Sequence, residues 1–308
     1  MTTRYALLLL ASLTAAACNK KPAEPAAAAE ASGAPAAPAA MAGSGEGSAA
    51  ASAFAPPSAR QTELQTLASQ ALQSGNKEAA LAAFMGLRDS EPMSEIKAMG
   101  TLMLAQMYQA DNDSKRTLEV LVDLQKKAPP FAQLEYVLGS VLAEQKNNTE
   151  AEAALRRSIR IEPAFLPAYV SLIKLFKDAG RAEQVSEISL QFERQTKAVG
   201  EKLNSQIPDE EKIRVVQELS FTGEDPLVTR AIMEALDDKS LDVRGNAAVA
   251  LAQVGTVDAI PALTAMGNMA EMEQLKQVAS MAIEAIKTRA TAPQANGSGA
   301  EGSGAPRP

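Results

Sequence analysis

The chain has 308 residues, a net charge of −7 and one cysteine, and it contains neither histidine nor tryptophan. Without histidine it lacks the usual general base and the commonest metal ligand, and one cysteine can form neither an internal disulfide nor a cysteine-based zinc site. The negative charge disfavours binding to nucleic acid. We therefore expect no cofactor, no metal, no catalytic residues and no nucleic-acid partner.

The first 17 residues have the pattern of a signal peptide. Arg4 precedes an apolar stretch over 5–17, which is shorter than the roughly 20 residues of a transmembrane helix. Small residues end the stretch directly before Cys18. The pattern resembles a bacterial lipoprotein signal, which implies cleavage before Cys18 and its lipidation, and Asn19 favours the outer membrane. The alternative is an ordinary secretory signal in which Cys18 is an isolated thiol.

Two segments are predicted to be disordered. The tether over 18–59 consists mainly of Ala, Pro, Ser and Gly, so it has too few large apolar side chains to offset the entropy of ordering. The tail over 291–308 is similarly rich in Gly, Ala and Pro. The part of the chain that can fold is then about 60–290.

A 34-residue period runs through the first part, where Pro129 and Pro163 lie 34 residues apart, as do Leu104, Leu138 and Leu172. The pattern resembles the tetratricopeptide repeat, whose units are pairs of antiparallel helices. It predicts units at 61–94, 98–131, 132–165 and 166–199, in a domain over 60–205. Thr149 and Glu152 are predicted to form a capping box. Small residues are expected where the paired helices meet and large ones between them: Ala68, Ala105, Gly139, Ala80, Thr117 and Ala151, then Phe84, Leu121 and Leu155.

A second repeat occupies the domain predicted over 206–290. The run from Leu241 to Arg244 is followed by closely spaced Ala and Leu residues, and weaker copies begin near Ile213 and Leu275. This pattern resembles HEAT-like repeats, in which Asp and Arg form ladders between neighbours, and it implies that role for Asp242 and Arg244. The domain is acidic, with 8 Lys and Arg against 14 Asp and Glu.

Two clusters have both a structural and a metal-binding interpretation. Asp237, Asp238 and Asp242 could hold a divalent cation, but caps and solvated loop residues are the favoured interpretation. A methionine stripe on one predicted helix could bind soft metal, but packing is favoured for its members, which are Met99, Met103 and Met107.

The tetratricopeptide resemblance implies that first helices line a concave, protein-binding groove. Its side chains are rich in amides, which pair with the backbone of an extended peptide, and include one tyrosine. An ordinary solvated face is the alternative. The candidate groove residues are Gln65, Ser69, Met99, Leu102, Gln106, Gln109, Gln133, Tyr136, Ser140, Lys174 and Lys177.

The sequence predicts an all-α fold, an α-solenoid of tetratricopeptide and then HEAT-like helix pairs. The predicted function is non-enzymatic: a lipid-anchored scaffold or assembly factor of the bacterial cell envelope, at the outer membrane facing the periplasm. Its partner would be an envelope protein or an extended peptide. The alternatives are a HEAT-like lyase, a regulatory subunit of an envelope enzyme, and a purely structural spacer.

Overall fold

The computed structural model describes residues 53–269 and 272–291, which are helical apart from connecting turns and one isolated β-bridge. The predicted all-α class is confirmed. The predicted signal peptide, Cys18 and the tail beyond Thr291 lie outside the described residues. The α-helices are α1 Ala59–Gln73, α2 Lys77–Asp89, α3 Glu95–Ala110, α4 Ser114–Lys127, α5 Ala132–Glu144, α6 Asn148–Ile161, α7 Leu166–Asp178, α8 Ala182–Glu201, α9 Asp209–Ser220, α10 Pro226–Met233, α11 Leu241–Val254, α12 Ile260–Met269 and α13 Glu273–Thr291.

The chain divides into two compact units, Met1–Ser171 and Leu172–Pro308, and the division falls within α7. We call them unit 1 and unit 2 and describe each by itself. The domain boundary predicted between 205 and 206 is a change of repeat type, and it stays a prediction.

Unit 1 contains three complete helix pairs, α1/α2, α3/α4 and α5/α6, at the positions that the 34-residue period predicts. Small and large residues meet between paired helices as expected, since Ala80, Leu121 and Leu155 are all 0% exposed. Inside the α5/α6 pair the fit is tight at Gly139, where an added Cβ would lie 2.7 Å from Leu155 Cγ. Close helix packing therefore depends on the small residues that the repeat pattern identified.

The turns inside these pairs share one design. Each has a residue with a left-handed backbone, namely Gly75, Asn112 or Lys146, with φ of 70°, 59° and 64°. The next residue is the N-cap of the second helix, and Asn76 and Asp113 accept backbone N–H groups there.

This design corrects the predicted capping box. The cap of α6 is Asn147, which follows the left-handed Lys146, so Thr149 lies inside the first turn instead of at the cap. Glu152 pairs with Arg156 one turn later, at 2.9 Å.

Residues 53–58 belong to unit 1, although the sequence analysis included them in the tether. The Phe54 ring packs edge-on against Phe131, with centroids 5.6 Å apart. Ala55 forms a parallel bridge with Ser94, and its N–H donates to Met93 O at 3.1 Å. Ser58 then caps α1. Low hydrophobicity predicted disorder here, but one phenylalanine and a few backbone contacts fix the segment.

Unit 2 contains α8 to α13 and the last part of α7. Its first helices α9, α11 and α13 contact one another in order, while α8 contacts α10 on the other side. Of the third predicted HEAT-like copy, the described residues contain only α13. The Arg289 guanidinium on α13 donates to the carbonyls of Ala252 and Gly255, which closes the end of α11. This contact holds the third copy to the second.

Candidate protein-binding face

Eight of the predicted groove residues lie together in unit 1, and all eight are half-buried. We call this set the first-helix face: Gln65 and Ser69 on α1, Met99, Gln106 and Gln109 on α3, and Gln133, Tyr136 and Ser140 on α5. The helices that carry it are neighbours, because α1 contacts α3 and α3 contacts α5. The second helices α2 and α4 have fewer contacts with each other, so first helices form the closer-packed side of the unit.

Leu102 does not belong to this face. Its side chain is 1% exposed, so it is a core residue. Counting along α3 placed it with Met99 and Gln106, but its apolar side chain is removed from water.

The amides of the face differ in their hydrogen bonds. Gln109 Nε2 donates to Glu144 Oε2 at 2.6 Å, which links the ends of α3 and α5. Gln106 Oε1 is buried and accepts no hydrogen bond from any described residue. A buried acceptor without a donor costs roughly 1–3 kcal/mol.

The face has an aromatic end. The rings of Tyr136 and Phe165 pack edge-to-face with centroids 5.4 Å apart. Both residues are half-buried, so part of this pair is accessible. Sequence reasoning identified Tyr136 but missed Phe165, which lies in the loop before α7. Phe165 lies two residues after Pro163, where the sequence predicts a helix end, and this position was the signal that could have placed it in the loop beside the face.

The eight members carry no charge. One of them, Gln109, donates to the carboxylate of Glu144 at the end of α5. Glu135, on the same helix as Tyr136, is 6% exposed and turned inward, where it binds Arg157 at 2.9 Å and Gln125 at 2.7 Å. The charged pair of Glu135 and Arg157 therefore lies between helices and not on the first-helix face.

Lys174 and Lys177 lie in unit 2 and are exposed. Lys174 pairs with Asp178 at 2.7 Å on the same helix, in an exposed ion pair of little energetic weight. The favoured interpretation of the methionine stripe is confirmed for Met103 and Met107, which are 1% and 8% exposed, whereas Met99 is on the face.

One member of the acidic cluster of unit 2, Asp238, makes structural contacts. Asp238 pairs with Lys212 at 2.5 Å and accepts the Ser240 N–H at 2.8 Å, next to the start of α11. Burial raises the pKa of Asp238, but the hydrogen bonds from Lys212 and Ser240 outweigh it and leave this pKa below its ordinary value. No group of three or more metal-ligating side chains occurs among residues 53–269 and 272–291.

Among residues 53–269 and 272–291, Asp242 and Arg244 do not form the expected ladder. Asp242 is exposed, and Arg244 Nε is buried with no partner among the described residues. The polar contacts between repeats include the pair of Lys212 on α9 with Asp238, just before α11, and the hydrogen bonds of Arg289 to the end of α11. In the weaker copies, Lys212 and Gln274 occupy the position of Asp242, so a repeating Asp–Arg pair cannot form.

In the described part of the chain, no helix has both the length and the apolar character that spanning a bilayer requires.

The fold defines the class: an all-α protein of repeated helix pairs. Residues 197–287 match the family model for HEAT repeats. Two crystal structures of MamA are similar in fold. One is 17% identical, with a TM-score of 0.39, over 62% of this chain and 91% of MamA. The other is 14% identical, with a TM-score of 0.37, over 73% of this chain and 96% of MamA. No curated protein matches the sequence significantly. Neither likeness assigns a function.

Proposed function

We propose that the chain is a lipid-anchored scaffold or assembly factor of the bacterial cell envelope, and that its first-helix face binds an extended segment of a protein partner. The proposal of a binding face is supported mainly by the composition and exposure of its side chains. Eight half-buried, uncharged side chains lie on three adjacent helices. All five members on α1 and α5 end in an amide or a hydroxyl group.

The chemistry of the face fits an extended backbone. Glutamine side chains offer both a donor and an acceptor, which matches the alternating N–H and C=O groups of a peptide. The accessible parts of the glutamine side chains would pair with the peptide backbone, and the Tyr136–Phe165 pair would contact an apolar side chain. Since the face carries no charge, binding should depend little on salt.

The envelope location is a separate part of the proposal. It is supported by the apolar segment over 5–17 and by Cys18, the only cysteine in the chain, directly after it. Acyl chains on Cys18 would anchor the protein, because each buried methylene contributes about 0.8 kcal/mol. Cys18→Ser should move the protein from the membrane fraction to the soluble fraction. Retention in the membrane would contradict the anchor and leave the binding face untouched.

Capture from cells tests the binding. The protein is crosslinked in intact cells and recovered through a tag after Pro308, and the proteins that come with it are identified by mass spectrometry. Gln106→Ala with Tyr136→Ala should lose one dominant partner. The matched control is Leu118→Ala with Glu119→Ala on α4, a second helix outside the face. Equal recovery of all proteins in both variants would favour the structural spacer.

A further inference from the structure

Residues 54–58 contact the starting ends of α1, α3 and α5, the first helices of the three complete pairs of unit 1. Ser58 is the N-cap of α1, Ala55 bridges to Ser94, the N-cap of α3, and Phe54 packs on Phe131, the N-cap of α5. These three helices carry the first-helix face. We call residues 53–58 the strap.

The strap is held by a buried hydrogen-bond centre. Gln61 is 0% exposed, and its Oε1 accepts from Ser58 N at 3.0 Å and from Ser94 Oγ at 2.8 Å. Its Nε2 donates to Pro92 O at 2.7 Å and to Ser90 Oγ at 3.0 Å. One glutamine therefore joins the start of α1 to the loop before α3, so this end of the strap is rigid.

The other end depends on one ring. Phe131 is the only N-cap of the three that makes no side-chain capping bond, and it is 4% exposed beneath Phe54. The spacing between α3 and α5 at their starting ends is thus set in part by the Phe54–Phe131 contact.

We propose that the strap is a conformational device that fixes the spacing of α1, α3 and α5, with Phe54 as its positioning residue. Part of the inference rests on the proposed function: an ordered strap pre-organises the first-helix face, and a released strap weakens binding there. A force or a competing contact on the chain just before residue 53 would then displace Phe54 from Phe131. Such a displacement would change the spacing of the helices that carry the face.

The spacing is tested by distance measurement on the full chain carrying Cys18→Ser. Spin labels are attached at Ala59→Cys on α1 and Gln133→Cys on α5. With the native strap we expect one narrow distance distribution. Phe54→Ala should broaden it and speed amide exchange of Ala55 about tenfold, since the aromatic contact is lost. Phe54→Tyr should retain the narrow distribution, and so should the control Ala53→Ser, which changes an exposed neighbour.

An unchanged distribution and unchanged exchange in Phe54→Ala would overturn the strap. The coupling is read separately, from partner recovery after crosslinking in cells. Phe54→Ala should lower recovery several-fold although Phe54 is outside the face, and Phe54→Tyr should restore it. If the distances broaden but neither Phe54→Ala nor the Gln106 and Tyr136 double variant changes recovery, the strap stands and the proposed function fails. If the Gln106 and Tyr136 double variant lowers partner recovery but Phe54→Ala does not, the proposed coupling between the strap and the face is wrong.

Discussion

Gly139→Ala tests whether close approach of paired helices holds unit 1 together. A new Cβ would lie 2.7 Å from Leu155 Cγ, 3.0 Å from Leu155 Cδ2 and 3.2 Å from the Ala151 carbonyl oxygen. Leu155 is 0% exposed and the carbonyl belongs to the backbone of α6, so neither can yield cheaply. Overpacking of this kind costs roughly 1–3 kcal/mol, and the severe contact suggests the upper part of that range.

The gain in helix propensity opposes this cost. Alanine is favoured over glycine inside a helix by about 1 kcal/mol. The net effect should be a loss of about 1–2 kcal/mol in the free energy of unfolding of unit 1. Gly245→Ala on α11 is the control, because its nearest atom, Leu275 Cδ2, would be 3.7 Å away. With the clash absent, it should stabilise unit 2 by roughly 0.5–1 kcal/mol.

Urea unfolding followed by hydrogen exchange separates the two units. Gly139→Ala should lower protection in α5 and α6, and Gly245→Ala should raise it in α11. Leu155→Ala provides the double-mutant cycle, since the new methyl at position 139 then enters space that the leucine vacates. The double variant should lose less free energy of unfolding than the two single variants lose in sum. A stabilising Gly139→Ala, or strict additivity with Leu155→Ala, would refute the packing argument.

Three further outcomes are expected. Glu135→Gln should destabilise unit 1 by about 1–3 kcal/mol, because it leaves Arg157 without its carboxylate in a half-buried position; thermal unfolding against the exposed control Glu150→Gln measures it. Arg289→Leu should loosen the end of α11 by a similar amount, about 1–3 kcal/mol, seen as faster amide exchange in α11 and α13, and unchanged exchange there would contradict the cap. Asp238 has a lowered pKa, so its contribution is present above its ordinary pKa of 3.8 and is lost as pH falls through the lower folded value. Asp238→Asn should therefore reduce the acid sensitivity of unit 2, and acid unfolding curves that coincide with the native ones would contradict this.

The sequence predicted the helix pairs of unit 1 well because their packing is periodic. Leu121 and Leu155 lie 34 residues apart and are both 0% exposed, and Leu155 meets Gly139 on the paired helix, so period and burial carry the same information. Leu102 shows where counting fails: a small error in angle around α3 moves a side chain from the surface to the core.

The strap and the buried hydrogen bonds could not be predicted in the same way. Phe54 is one apolar residue in an Ala- and Pro-rich segment, and its order depends on Phe131, far along the chain. Ser58 and Gln61 do form a capping box with a recognisable local pattern, which was the available sequence signal for the start of α1. Gln61 accepts and donates hydrogen bonds across a loop, and Arg289 donates them to the end of α11. These contacts occur once each, so no repeat pattern in the sequence marks them.

The central claim is that the first-helix face of unit 1 contacts a protein partner. Photocrosslinking in intact cells tests it most directly, with a photoreactive residue placed either at Gln133 on α5 or at Glu119 on α4. The account predicts one strong crosslinked protein from Gln133, lost when Gln106 and Tyr136 are changed to alanine, and no such product from Glu119. A product from Glu119 alone, or none from Gln133 when the protein is folded and abundant, would contradict it.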